Sequence, residues 1–175
     1  WRMPTAFGDE RLTEPVVPSL HRWRIDPEAG TVTTEQLDDR AAEFPRLNMA
    51  YETRPHRYGY AGLAGTWGAD QVHFTGIVKY DLATGTETVH RYGPGPEPVP
   101  PRGGGRGGGE RVFAAAPAGD AEDAGWLMTY VYDQDDGSSH LRIVDARDIT
   151  AGPVAKVHLP RRVPHGFHGN WMPER

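Results

Sequence analysis

The sequence predicts an all-β fold built from repeated hairpin units of the propeller-blade kind. Three observations carry that prediction. Three segments about 50 residues apart repeat one plan, an alternating strand, an Asp- and Gly-containing turn and a second strand. Gly (22) and Pro (16) exceed a fifth of the 175 residues, which disfavours long helices. Helix start and stop signals are scarce throughout.

The first unit is LHRWRIDPEAGTVTTEQL (20–37). Trp23 and Ile25 fall on one face and Arg22 and Arg24 on the other, the period of two that marks a strand. The second is FTGIVKYDLATGTETVHRY (74–92) and the third GWLMTYVYDQDDGSSHLRIVDA (125–146). Their turns, DPEAG, DLATG and DQDDG, offer an Asp side chain to cap the turn and a glycine for positive φ. Between the second and third units, residues 93–109 form a Pro/Gly-rich stretch read as a flexible surface loop. Its glycines are no phosphate cradle, because no Lys-Ser/Thr follows and no helix begins there. One short turn is expected within DARDITAG (145–152). The final RRVPHGFHGNW (161–171) is read as the closing strand. Three hairpins are too few to close a ring, and an isolated arc of blades would expose a wide apolar face. The sequence therefore describes part of a propeller, with a β-sandwich as the competing architecture.

Composition narrows the function classes. A formal charge of −5 argues against a nucleic-acid partner, and a mean hydropathy of −0.63 marks modest hydrophobic content. The chain has no cysteine, which removes disulfides, thiolate metal sites and cysteine nucleophiles together. That is compatible with a reducing compartment, and a cytoplasmic location is the expectation. No apolar run approaches a membrane span. The first residue is Trp1, and the expectation is that 1–175 is a piece of a longer protein, one part of a single domain.

Eight histidines are candidate ligands: His21, His56, His73, His90, His140, His158, His165 and His168. Most sit in hairpins beside polar residues and are expected to be solvated. His168 differs, since a glycine on one side and aromatics close by let the chain turn tightly and aim the ring inward. Glu43 lies in the apolar setting AAEFPRLN, and Glu110 follows the glycine run before RVF. A buried carboxylate needs a partner, and one sufficient partner is the free ring N–H of a metal-bound histidine. No Ser/His/Asp order or paired-acid spacing supports hydrolase chemistry.

Taken together, LHRWRID, EFPRLN followed by RPHRYGYAGL, GWLMTYVYD, LRIVDARD and VHLPRRVPHGFHGNW resemble the carotenoid cleavage oxygenase family in order and spacing. The resemblance runs from about residue 18 onward. It implies a seven-bladed propeller, of which this chain covers the C-terminal blades, with Fe(II) on the axis held by four histidines. It also implies glutamates that accept hydrogen bonds from three of those rings. The family's GFHG histidine maps to His168 as a metal ligand, and the Glu of EFPxxN maps to Glu43. The Glu of GEPxF maps to Glu110, although Arg111 stands where proline is usual. His165 and Phe167 map to the substrate-pocket wall, and Phe167 and Trp171 either line that tunnel or pack the last strand. The other three iron histidines and the third glutamate would lie upstream of Trp1.

The implied activity is insertion of O2 across one C=C bond of a carotenoid, apocarotenoid or stilbene, giving two carbonyl products. A substrate of that kind implies peripheral contact with a membrane, from which it is extracted. Two other readings remain at this point. One is an inactive truncated remnant of a propeller. The other is a propeller fragment that binds a ligand without metal, which an exposed His168 far from both glutamates would favour.

Overall fold

The computed structural model describes residues 17–67, 72–93, 106–117, 120–164 and 168–172. These residues form ten strands and two short 3-10 turns. The strands are β1 (His21–Asp26), β2 (Thr31–Gln36), β3 (Ala42–Arg46), β4 (Tyr58–Trp67) and β5 (Val72–Asp81). They continue with β6 (Thr86–Arg91), β7 (Arg106–Ala115), β8 (Gly125–Asp133), β9 (Ser139–Asp145) and β10 (Pro153–Leu159). The all-β class predicted from the hairpin repeat holds.

Pairing is antiparallel throughout and falls into three groups. β1 and β2 form a hairpin of their own. β3-β4-β5-β6 and β7-β8-β9-β10 are two four-stranded meanders, the unit of a propeller blade. They join where Phe74 of β5 pairs with Gly108 of β7, while Gly76–Asp81 of β5 pair with β6.

All three predicted hairpins are present, as β1–β2, β5–β6 and β8–β9. Their turns close as the local chemistry dictates. The Asp26 carboxylate accepts the Glu28 and Ala29 N–H groups at 3.0 and 2.9 Å. Gly30, Gly85 and Gly137 take φ of 63°, 68° and 70°, where a side chain would be strained. The turn expected in 145–152 is the 3-10 turn Ile149–Ala151, with Asp148 at its N-cap.

Two expectations need correction. The loop assigned to 93–109 is shorter at its C-terminal end: 106–109 belong to β7, where pairing with β8 overrides the flexibility of the glycines. Residues 94–105 of that loop lie outside the described residues. The chain terminus is not a strand where it is described: β10 ends at Leu159, and 168–172 have no regular structure.

The main core packs along the seam of the two meanders. Tyr60, Ile77 and Tyr92 come from the β3–β6 side, and Phe113, Leu127, Val131 and Val144 from the other. β1–β2 contributes nothing to it. Trp23, Ile25 and Val32 project from one face of that hairpin and are more than half exposed.

Candidate functional site

The two candidate carboxylates stand on β3 and β7, the first strand of each meander, and those strands are neighbours. Each lies at an interruption of its ladder. On β3, Glu43 pairs with Gly62 and Arg46 with Tyr60, so three steps on one strand match two on the other. The extra residue makes a β-bulge at Phe44–Pro45, with Phe44 in the left-handed region at φ 56°. Proline suits such a place because it has no N–H to give the ladder. On β7, Gly108 pairs with Val131 and Arg111 with Thr129, which puts Gly109 and Glu110 in a second bulge. Bulges re-aim the side chains beside them, and here both side chains are acids.

Glu110 is nearly buried, its side chain 7% exposed. One carboxylate oxygen accepts from the Arg46 guanidinium, and the other accepts the Gly169 N–H at 2.7 Å. Nη2 of Arg46 also donates to the Gly169 carbonyl at 2.9 Å. Arg46 and Glu110 thus hold the backbone next to His168 from both sides. The His168 ring Nδ1 lies 3.4 Å from the Glu110 carboxylate. Its edge meets Phe44, with centroids 5.5 Å apart at 84°, and Phe44 packs on Phe74. Glu43 is half-buried; burial pushes its carboxyl pKa up, and the charge of His168 pulls it back.

The structure therefore brings together His168, Glu110 and Glu43, three residues from separate parts of the sequence. Among the readings the sequence left open, the metal-free one asked for a His168 exposed and far from both acids. The ring is exposed, at 74%, but it is not far. Among the described residues it meets Phe44 and Glu110, and the inward aim expected of it is not seen. His165 and Phe167 lie outside the described residues. Trp171 is half exposed and packs into no core.

Of the histidines whose side chains are described, His21, His56, His158 and His168 are exposed, as expected of most. His90 and His140 are buried, and the Arg142 guanidinium, 52 residues on, lies against the His90 ring at 3.4 Å. Sequence reading also passed over Arg46, although it stands inside the EFPR motif that drew attention to Glu43. Its partner is 64 residues away, and no local pattern announces that.

Among the described residues, no three His, Cys, Asp or Glu side chains are assembled as a metal cage, and no helix is long and apolar enough to cross a membrane. What the chain does assemble is a single accessible imidazole backed by a fixed carboxylate. That is the arrangement in which a protein presents one ligand and sets its tautomer.

Paired four-stranded antiparallel meanders are the blade unit of the β-propeller class. The family follows from the comparisons: residues 2–173 match the family model described as retinal pigment epithelial membrane protein (RPE65), and the chain belongs to that family. It is 41% identical over 169 residues to a carotenoid cleavage oxygenase of Mycobacterium tuberculosis, covering 95% of this chain and 30% of that protein. It is 37% identical over 158 residues to the apocarotenoid-15,15'-oxygenase of Synechocystis, covering 87% and 29%. The cobalt-substituted Synechocystis apocarotenoid oxygenase superposes with a TM-score of 0.75 at 35% identity, over 88% of this chain and 30% of that one. The chain spans about 30% of the length of these relatives.

Proposed function

We propose that this chain is the C-terminal part of an iron-dependent dioxygenase that cleaves one C=C bond of a carotenoid, apocarotenoid or stilbene. The observation that carries the reading is the group His168–Glu110–Arg46. A carboxylate fixed by a guanidinium and a backbone N–H lies at the Nδ1 of an accessible imidazole. Donation of the Nδ1 proton to Glu110 leaves the lone pair of the other ring nitrogen for a metal. Names of the relatives support the oxygenase class and the polyene substrate.

The residues present fit one ligand position and its support. His168 would hold the iron with Glu110 orienting its ring, and Glu43 adds a second carboxylate nearby whose negative charge favours a cationic centre. Iron(II), when bound, supplies open coordination positions for O2 beside the alkene. The overall reaction adds one oxygen atom to each alkene carbon, so it balances without an outside reductant. The chain's own part is to fix one ring and its tautomer. His165 and Phe167 are assigned to the pocket wall by resemblance alone. Extraction of the substrate from a membrane surface and a cytoplasmic location complete the proposal.

The test uses the protein encoded by the reading frame extended upstream of the Trp1 codon. It should bind iron in stoichiometric amount and convert an apocarotenoid to two carbonyl products, followed by loss of polyene absorbance and mass spectrometry. His168→Ala should abolish both. Retention of stoichiometric iron and full cleavage by that variant would refute the assignment. The 175-residue chain alone should bind iron poorly, since one imidazole cannot retain Fe(II).

A further inference from the structure

The seam between the meanders holds a cation that the reading above does not use. Arg111 has no solvent exposure at all. Its Nη2 donates to the Gly109 carbonyl at 2.9 Å and its Nη1 reaches the Glu43 carbonyl at 3.4 Å. Its Cζ sits 5.2 Å from the centroid of Phe74, and its Nε has no partner among the described residues. Burial pulls its pKa below the ordinary arginine value, with Tyr92 and Glu110 opposing. A guanidinium so desolvated is a poor way to fill a core, so its hydrogen bonds must explain its presence.

Besides a side-chain bond with Tyr92, those bonds fall on the two bulges. The Gly109 carbonyl lies in the β7 bulge that aims Glu110, where the Thr129 hydroxyl joins Arg111 in donating to it at 3.1 Å. The Glu43 carbonyl opens the β3 bulge. One side chain therefore ties together the two irregular backbones that carry the two acids. The space for it comes from Gly62, the register partner of Glu43. A Cβ there would stand 2.0 Å from Nη1 and 2.5 Å from Cζ, so any side chain at 62 must displace the guanidinium.

We propose that Arg111, seated on Gly62, is a positioning residue that fixes the Glu43 and Glu110 carboxylates relative to each other and thereby to His168. It touches no reacting atom and acts through the two bulge carbonyls. Its consequence for a bound metal rests on the iron reading above; its geometry does not.

The test uses the upstream-extended protein with its metal removed. Arg111→Met removes the guanidinium's hydrogen bonds, those to the two bulge carbonyls and to Tyr92, and keeps the bulk, while Gly62→Ala crowds the guanidinium. The readouts are hydrogen exchange of the Gly169 amide, which is bonded to Glu110, and the ring 15N shifts of His168, which report its tautomer. Both variants should speed Gly169 exchange by roughly ten-fold, as loss of a charge-assisted bond does, and shift the ring resonances. Leu127→Ala, in the buried core of β8, should cost stability and leave both readouts unchanged, which separates positioning from general destabilisation.

Combined, Gly62→Ala and Arg111→Met should be no worse than Arg111→Met alone, because the clash has lost its target. If Arg111→Met does not fold, Gly62→Ala decides the matter by itself. Gly169 exchange within about two-fold of the parent in Gly62→Ala, or additive effects in the double variant, would overturn the proposal. Such a failure leaves the iron reading standing, since that reading is decided by iron retention in the extended protein. Loss of iron binding there would equally leave the metal-free geometry untouched.

Discussion

Arg46→Met is the perturbation whose cost can be worked from the structure. The methionine keeps most of the aliphatic stem and removes the guanidinium that bonds both Glu110 and the Gly169 carbonyl. Glu110 is then a carboxylate 7% exposed with one firm donor left, the Gly169 N–H. Removing one partner of a buried ion pair costs about 3–5 kcal/mol, whereas exposed pairs are worth about 1 kcal/mol or less. Arg46 itself is 24% exposed, so water replaces part of what is lost and an intermediate cost of about 2 kcal/mol is expected. For a chain of 175 residues this corresponds to a fall in Tm of roughly 4–8 °C. Urea unfolding at neutral pH, followed by near-UV circular dichroism, measures the change directly. Arg46→Lys should recover only part of it, because an ammonium cannot reach carboxylate and carbonyl together in one fork. A loss below about 0.5 kcal/mol in Arg46→Met would show that Glu110 is satisfied without it, and the clamp on the His168 segment would have to be abandoned.

Three further outcomes follow from the fold. His90 is buried against Arg142, and burial first, then that cation, lowers its pKa below the ordinary 6.5. The unfolded chain therefore binds the proton first, so stability from this site is present above pH 6.5 and is lost as pH falls toward the depressed folded value. Urea midpoints should drop across that window and flatten in His90→Gln, and an unchanged slope would contradict the burial. Gly76→Ala places a Cβ 2.2 Å from the His90 carbonyl oxygen, a backbone atom that cannot swing aside. It should cost about 2–3 kcal/mol by splaying β5 from β6, and thermal unfolding at parental Tm would refute the close approach. Trp23 is 68% exposed, so Trp23→Ser should change stability by less than about 0.5 kcal/mol. A larger loss would mean that the β1–β2 face is covered within this chain.

The parts legible in the sequence are those decided within a dozen residues. The three hairpins follow from alternation and from turns whose Asp and Gly residues act on their own neighbours, as Asp26 and Gly30 do. The strands that carry the site were not legible as strands. β3 contains Pro45 and spans five residues, and β7 opens on a run of glycines, so both look like loops until β4 and β8 pair with them. His90 reads as a surface residue because Arg142, which packs against it, is 52 residues away. Glu43, Glu110 and His168 were marked by motif resemblance, and no pattern of spacing could have shown that they meet. Arg111 was noted only as a departure from an expected proline, whereas its hydrogen bond to Glu43 spans 68 residues.

That division has a physical reason in how the site is made. Two acids on different meanders must keep a fixed separation if one ring is to find its acceptor, yet a regular ladder offers only straight strands and alternating faces. The bulges on β3 and β7 supply the change of direction, and each leaves a local break in the pairing. Apolar packing would tolerate a shift at such breaks, because burial is non-directional. Hydrogen bonds from a planar guanidinium do not, since they fix both distance and angle. Arg46 holds the side-chain end of Glu110 and Arg111 the backbone end. The two arginines thus constrain the carboxylate from opposite ends. Removing both should therefore loosen Gly169 by more than the sum of the single effects, a non-additivity that a double-mutant cycle on its exchange rate measures.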